Sequence, residues 1–204
     1  MLKKARVAIL VSGGGTNLQA IINAADRGEL PSAELALVIA SNDTAYALTR
    51  AEKAGIPAVV VSKKRAGSQQ VFEEQMLEKL REYRIDLIVL AGFMNILSAD
   101  FVSRYPRRIL NVHPSLIPAF CGEGYFGLRV HEAALAKGVR VTGATVHFVN
   151  EIPDGGEIIF QKAVVIREDD TPETLQKRVM RLAEWKILPA AVEQVSAEII
   201  GQAE

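Results

Sequence analysis

Three short segments carry residue types that could do chemistry together. The first is Asn111-Val112-His113-Pro114-Ser115-Leu116. Residues two apart on a strand point to the same side, so Asn111 and His113 can face one crevice. Pro114 breaks the strand and leaves His113 at its lip. Imidazole moves a proton near neutral pH, and a carboxamide N–H donates a fixed hydrogen bond to a carbonyl oxygen. A lone histidine at a strand end is more often a structural hydrogen-bonder; the Asn-x-His pairing adds weight to a catalytic role. The second segment is Asp154-Gly155-Gly156. Asp before Gly is by itself a turn signal. Chemistry at a histidine, however, usually needs a carboxylate to orient the ring and hold its proton, and Asp154 would supply it.

The third segment is Ser12-Gly13-Gly14-Gly15-Thr16-Asn17. Glycines let the backbone turn tightly and approach a ligand. The helix that follows aims free N–H groups and a positive dipole end at the gap, where a phosphate fits. No Gly-Lys-Ser/Thr follows, so this is not a P-loop, and Leu18 stands where the third glycine of the dinucleotide fingerprint belongs. A monophosphate therefore suits the turn better than a pyrophosphate. The plain alternative is a tight turn with Thr16 as helix N-cap. Residues 91–97, Ala-Gly-Phe-Met-Asn-Ile-Leu, keep large apolar side chains past a strand end. They suit the wall of a pocket for a flat heteroaromatic ligand, although core packing explains most of them. His113, His131 and His147 stand 18 and 16 residues apart without flanking cysteines. That spacing matches no metal-ligand pattern, so no metal is expected.

These segments need a scaffold, and the flanking hydrophobic periodicity supplies one. Buried-strand patterns at 7–11, 35–40, 58–61, 87–91 and 109–113 alternate with helical patterns at 16–25, 45–54 and 69–83. Such βαβ spacing predicts an α/β fold, a doubly wound and mostly parallel sheet. Ligands in such sheets bind at the carboxyl ends of the strands, so the tails of the first, fourth and fifth strands should share one crevice. A long glycine- and proline-rich loop spans 114–128, and a short helix spans 130–136. Residues 142–149 and 157–166 read as an antiparallel pair added to the sheet. Thr171 and Pro172 open a long terminal helix, with Thr174 where a capping box would have Glu. Pro189 would stop that helix, which would then resume to about residue 200.

Composition narrows the function classes. At 204 residues and 49% hydrophobic, the chain has ample material for a core. Twenty-four basic residues balance 24 acidic ones, which argues against DNA or bulk tRNA as partner. The single cysteine, Cys121, forms no intrachain disulfide. The basic opening segment precedes only five apolar residues, too few for a signal peptide or a membrane span. A cytoplasmic protein with no membrane partner is expected.

Taken together the segments resemble the glycinamide ribonucleotide formyltransferases, within the wider folate formyl-transfer family. The resemblance runs through Ser-Gly-Gly-Gly-Thr-Asn-Leu-Gln at 12–19, Leu-Ala-Gly-Phe-Met at 90–94 and Asn-Val-His-Pro-Ser-Leu-Ile-Pro at 111–118. It continues through Gly-Ala-Thr-Val-His-Phe-Val at 143–149 and Asp-Gly-Gly at 154–156. It implies a single Rossmann-like formyltransferase domain over 1–204, with a phosphate-binding half (1–113) and a folate and catalytic half (114–204). It implies 10-formyltetrahydrofolate as co-substrate, 5'-phosphoribosylglycinamide as acceptor, no metal, and a monomer or homodimer. By the same resemblance Asn111, His113 and Asp154 are the catalytic set. Gly15, Thr16 and Asn17 bind the phosphate, and Glu184 holds the ribose. Met94, Asn95, Ile96, Leu97 and Gln69 contact folate. Asn95 and Gln69 stand where many members have Arg, and the 119–127 loop is longer than usual. That loop is either a lid or a rigid excursion. In the implied mechanism Asp154 raises the His113 pKa, so that protonated His113 and Asn111 stabilise an oxyanion.

The nearest rival is a formyltetrahydrofolate hydrolase, which usually carries a regulatory domain ahead of the phosphate turn. A methionyl-tRNA formyltransferase would need a basic tRNA-binding domain. A non-enzymatic nucleotide-binding module explains the glycine turn but not Asn111, His113 and Asp154 together.

Overall fold

A computed structural model describes residues 3–202 of the chain. Met1, Leu2 and residues 203–204 lie outside it. Seven strands form one sheet in the order β3-β2-β1-β4-β5-β6-β7. They are β1 (Ala5–Val11), β2 (Ala33–Ala40), β3 (Ala58–Val60), β4 (Leu87–Leu90), β5 (Ile109–His113), β6 (Val141–Phe148) and β7 (Ile158–Val165). β1 to β5 run parallel, as βαβ spacing dictates. β6 runs antiparallel to β5, and β7 antiparallel to β6.

The helices are α1 (Thr16–Asp26), α2 (Ala47–Lys53), α3 (Lys63–Ala66), α4 (Gln69–Glu82), α5 (Ala99–Ser103), α6 (Leu128–Lys137), α7 (Pro172–Val179) and α8 (Trp185–Gly201). The short α3 and α5 lack the length for an apolar period, so hydrophobic patterning does not register them. Alternation along β1 shows how the layers form. Val7, Ile9 and Val11 pack with Leu18 and Ile21 of α1 and Leu188, Val192 and Val195 of α8. Ala8 and Leu10 pack with Phe72, Met76 and Leu80 of α4. Both sheet faces are thus covered, and the central strands read as unbroken apolar runs.

The C-terminal region departs from expectation at Pro189. The helix does not stop there: Pro189 lies inside α8 and is buried. The break falls upstream, at a wide π turn over Met180–Glu184. Proline removes one N–H and crowds the preceding turn, yet its apolar ring is held by the core, and tertiary packing overrides local propensity. At the start of α7, Thr171 and Thr174 complete a reciprocal capping box, with Thr174 doing through its hydroxyl what Glu does elsewhere.

Candidate active site

The carboxyl ends of β1, β4 and β5 lie side by side, which sets the glycine turn, the segment after β4 and the Asn111–His113 strand end along one edge. Asn111 and His113 project from one face of β5, since the intervening Val112 belongs to the core on the other face. The antiparallel register sets His147 of β6 opposite Asn111, and Thr145 opposite His113. The β6–β7 connection then returns Asp154 to the same place. Its seat is built locally. Asn150 accepts from the Ile152 N–H (3.0 Å) and donates to the Gly155 carbonyl (3.3 Å). Asp154 takes the left-handed conformation at φ 56°, which Asp tolerates better than most residues. Gly156 is obligatory, because a Cβ there would stand 1.7 Å from the Phe148 carbonyl oxygen.

Asp154 is the hub of the cluster. Its Oδ2 lies 3.4 Å from His113 Nδ1 and accepts from the Gly122 N–H at 2.9 Å. Its Oδ1 lies 3.5 Å from His147 Nε2 and 3.4 Å from the Asn111 amide nitrogen. His147 Nδ1 donates to the Phe148 carbonyl at 2.7 Å, which leaves Nε2 to face Asn111 at 3.2 Å. Burial alone would raise the Asp154 pKa. The contact with His147, the hydrogen bond from Gly122 and the neighbouring His113 outweigh it and hold the carboxyl below its usual range. Asp154 is therefore ionised at neutral pH.

His113 differs from expectation in two respects. It is 4% exposed rather than open at a lip. The 119–127 loop roofs it, and its Nε2 donates to the Phe120 carbonyl at 2.8 Å. Its pKa is also lowered rather than raised. Burial is the largest influence and pulls it down, against the upward pull of Asp154 and the Phe120 carbonyl. Burial of the ring thus opposes the charge that Asp154 and the Phe120 carbonyl favour. Thr145 secures the loop's base by accepting from the Ile117 N–H (3.1 Å) and donating to the Ser115 carbonyl (2.7 Å). Gly122 N–H and the Phe120 carbonyl fasten its middle to the cluster, while residues 123–127 are exposed.

At the glycine turn the N-cap of α1 is Gly15, not Thr16. Gly15 has φ 69°, and a Cβ would stand 2.7 Å from the Ala47 Cβ. No side chain caps the helix, so its first N–H groups stay open to an anion. Arg50 of α2 braces the turn, donating to the Gly14 carbonyl (2.8 Å) and to Gln19 (2.9 Å). Asn17 turns its side chain inward and donates to Glu184 Oε2 at 2.7 Å. Glu184 comes from the π turn, is buried, and has its pKa pushed up to about 7 by desolvation, against the Asn17 hydrogen bond.

The 92–98 segment beside the turn exposes Met94 (58%) and Ile96 (71%), with Asn95 and Leu97 half-buried. Phe93 anchors it by stacking on Phe72 at 6.4 Å. Gln69 does not reach outward. Its amide donates to Glu73 (2.5 Å) and the Ile96 carbonyl (3.1 Å). Glu73 in turn accepts from the Ser98 N–H and hydroxyl. Glu73, Ser98 and Arg50 support the candidate site and are not singled out by the sequence, and His147, weighed there by itself only as a metal ligand, joins the Asp154 cluster. Only His147 left a usable signal: once 142–149 pairs antiparallel with β5, its alternation puts this histidine on the Asn111 face.

Among the described residues, no group of three or more His, Cys, Asp and Glu is placed to hold a metal ion. Nor is any helix long and apolar enough to cross a membrane.

Comparisons with known proteins accord with this geometry. The formyl transferase family model matches residues 5–192. The chain is 46% identical over 195 residues to the human trifunctional purine biosynthetic protein adenosine-3, covering 96% of this chain but only 19% of that protein. It is 41% identical to the phosphoribosylglycinamide formyltransferase of Haemophilus influenzae, covering 92% of this chain and 85% of that one. The crystal structure of glycinamide ribonucleotide transformylase 1 from Symbiobacterium toebii superposes with a TM-score of 0.89 at 39% identity, covering 96% of this chain and 89% of that one. With its Asn-x-His strand end and Asp-Gly-Gly turn in one cluster, the chain belongs to the formyl transferase family.

Proposed function

We propose that the protein transfers the formyl group of 10-formyltetrahydrofolate to the amine of 5'-phosphoribosylglycinamide. The observation that carries this reading is the carboxylate of Asp154 held between His113 and His147 beside the Asn111 amide. The resident groups fit both substrates. The uncapped start of α1 at Gly15, Thr16 and Asn17 suits a phosphate monoester. Glu184, with Asn17, suits the hydroxyls of a ribose. Met94, Asn95, Ile96 and Leu97 offer apolar side chains and backbone groups to a flat heteroaromatic ring, with Gln69 holding their segment from behind. The two halves, 1–113 and 114–204, then act as one domain. Small molecules are its partners, without nucleic acid or membrane, in a cytoplasmic monomer or homodimer.

The co-substrate supplies an electrophilic formyl carbon. Asn111 donates an amide N–H to the formyl oxygen as the amine adds and charge develops there. Its bonds to His147 and Asp154 are long at 3.2 and 3.4 Å, so little is lost in redirecting them. His113 donates from Nε2 once the Phe120 carbonyl withdraws, and Asp154 steadies the imidazolium through Nδ1. Asp154 also accepts the amine proton through water for return to the leaving nitrogen. No metal and no covalent enzyme intermediate enter this scheme.

The test is to mix the purified protein with 10-formyltetrahydrofolate, with and without the ribonucleotide, and follow tetrahydrofolate. Product that depends on the ribonucleotide supports the transferase. Product formed without it makes the protein a formyltetrahydrofolate hydrolase, and no product in either case rejects both.

A further inference from the structure

One residue joins the two proposed substrate sites, and neither site uses it directly. Ser12 follows β1 immediately before the glycine turn, and its N–H, its carbonyl and its hydroxyl oxygen are all engaged. Its N–H donates to the Gly92 carbonyl at 3.1 Å. Its carbonyl accepts from the Asn42 side chain at 2.9 Å. Its hydroxyl oxygen accepts from the Met94 N–H at 2.9 Å and from the Ser41 hydroxyl at 2.8 Å. Ser41 in turn is tied to β1 by its N–H to the Val11 carbonyl, at 3.0 Å. The carboxyl ends of β1, β2 and β4 therefore converge on one side chain.

The Met94 N–H is the first backbone donor of the segment proposed to bind folate, and Gly13 begins the turn proposed to bind phosphate. One hydroxyl oxygen with two donors on it sets the distance between them. We propose that Ser12 is a positioning residue that couples the two substrates: occupancy of the 13–17 turn fixes the 94–97 segment, and the reverse. This rests on the site reading above. Coupling between binding sites is reciprocal and typically amounts to about 5–150-fold in affinity. The turn itself keeps its other restraints, Arg50 on Gly14 and the Ala47 N–H on Gly13, when the hydroxyl is removed. A role confined to stability would not change how one ligand alters the affinity for the other.

The experiment measures the affinity of a folate analogue without a formyl group to transfer, 5,8-dideazafolate, by calorimetry, with and without saturating ribose 5-phosphate as the phosphate-bearing probe. The native protein is expected to bind the analogue at least 5-fold more tightly when the probe is present. Ser12→Ala should lower that factor to below 2 while retaining each single-ligand affinity within about 3-fold, and Ser12→Thr, which keeps the hydroxyl, should restore it. Should Ser12→Ala fail to fold, Ser41→Ala removes one of the two donors and should at least halve the factor. An undiminished factor in the alanine variant, or no coupling in the native protein that binds both probes, overturns the proposal alone. A native protein that binds neither probe rejects the site reading, and the proposal falls with it.

Discussion

His113 sits between two acceptors, with Nδ1 3.4 Å from Asp154 and Nε2 2.8 Å from the Phe120 carbonyl. A ring protonated on both nitrogens would satisfy both partners, yet burial holds its pKa below the ordinary value. The nitrogen aimed at Phe120 is the one that the proposed scheme turns to the formyl oxygen. His113→Ala and Asp154→Asn should each reduce turnover by about 10²-fold or more, the usual effect of losing one donor aimed at developing charge. Ribonucleotide affinity should change little, because neither residue touches the glycine turn. Steady-state kinetics against both substrates checks this, and near-native turnover in either variant rejects the assignment.

His131 yields a stability test. It is fully buried in α6, and neither ring nitrogen has a hydrogen-bond partner. Desolvation pushes its pKa down to about 4, from 6.5. Between those values the unfolded chain binds the proton and the folded one does not, so stability rises with pH across that window. The shift corresponds to roughly 3 kcal/mol of stability lost on acidification from pH 7 to 4. His131→Leu removes the titration without leaving a polar group unpaired. Urea denaturation at pH 7, 5.5 and 4 should show a shallower decline in the variant; an unchanged slope removes His131 as its source.

Glu184 titrates in the opposite sense. Its folded pKa of about 7 lies above the ordinary carboxylate value of 4.5, so its contribution to stability is full at low pH and disappears as pH rises through 7. A ribose hydroxyl donates best to the ionised carboxylate. Ribonucleotide KM should therefore fall between pH 6 and 8 in the native protein. In Glu184→Gln it should be about 10-fold higher and flat over that range. A KM profile shared by both proteins would place the ribose elsewhere.

Gly15 combines a left-handed backbone with contact against Ala47. Gly15→Ala is expected to cost about 1–3 kcal/mol through strain and overpacking, and to raise ribonucleotide KM more than folate KM. Thermal unfolding should register a loss of several degrees; an unshifted transition with unchanged KM would mean that the turn adapts freely.

Local patterning made much of this protein legible. Period-2 and period-3.6 hydrophobicity set the order of strands and longer helices, and strand alternation alone put Asn111 and His113 on one face. Asp154 was legible because its two glycines announce a turn, and Gly156 proves irreplaceable beside the Phe148 carbonyl. The Asn-x-His-Pro-Ser and Asp-Gly-Gly blocks carried the family resemblance.

The tertiary structure decided what depends on register and on groups distant in sequence. His147 joins the cluster only because β6 pairs with β5 at Asn111↔His147. The Phe120 and Gly122 contacts are backbone hydrogen bonds, which any residue type can make, so composition does not mark them. Gln69 and Glu73 turn inward because the Ile96 and Ser98 backbone offers partners there. The pKa of His113 follows from burial under a loop, and Pro189 remains helical because a folded core outweighs a local penalty. Side-chain periodicity is encoded residue by residue, whereas register, burial and backbone partnership arise only when the whole chain is packed.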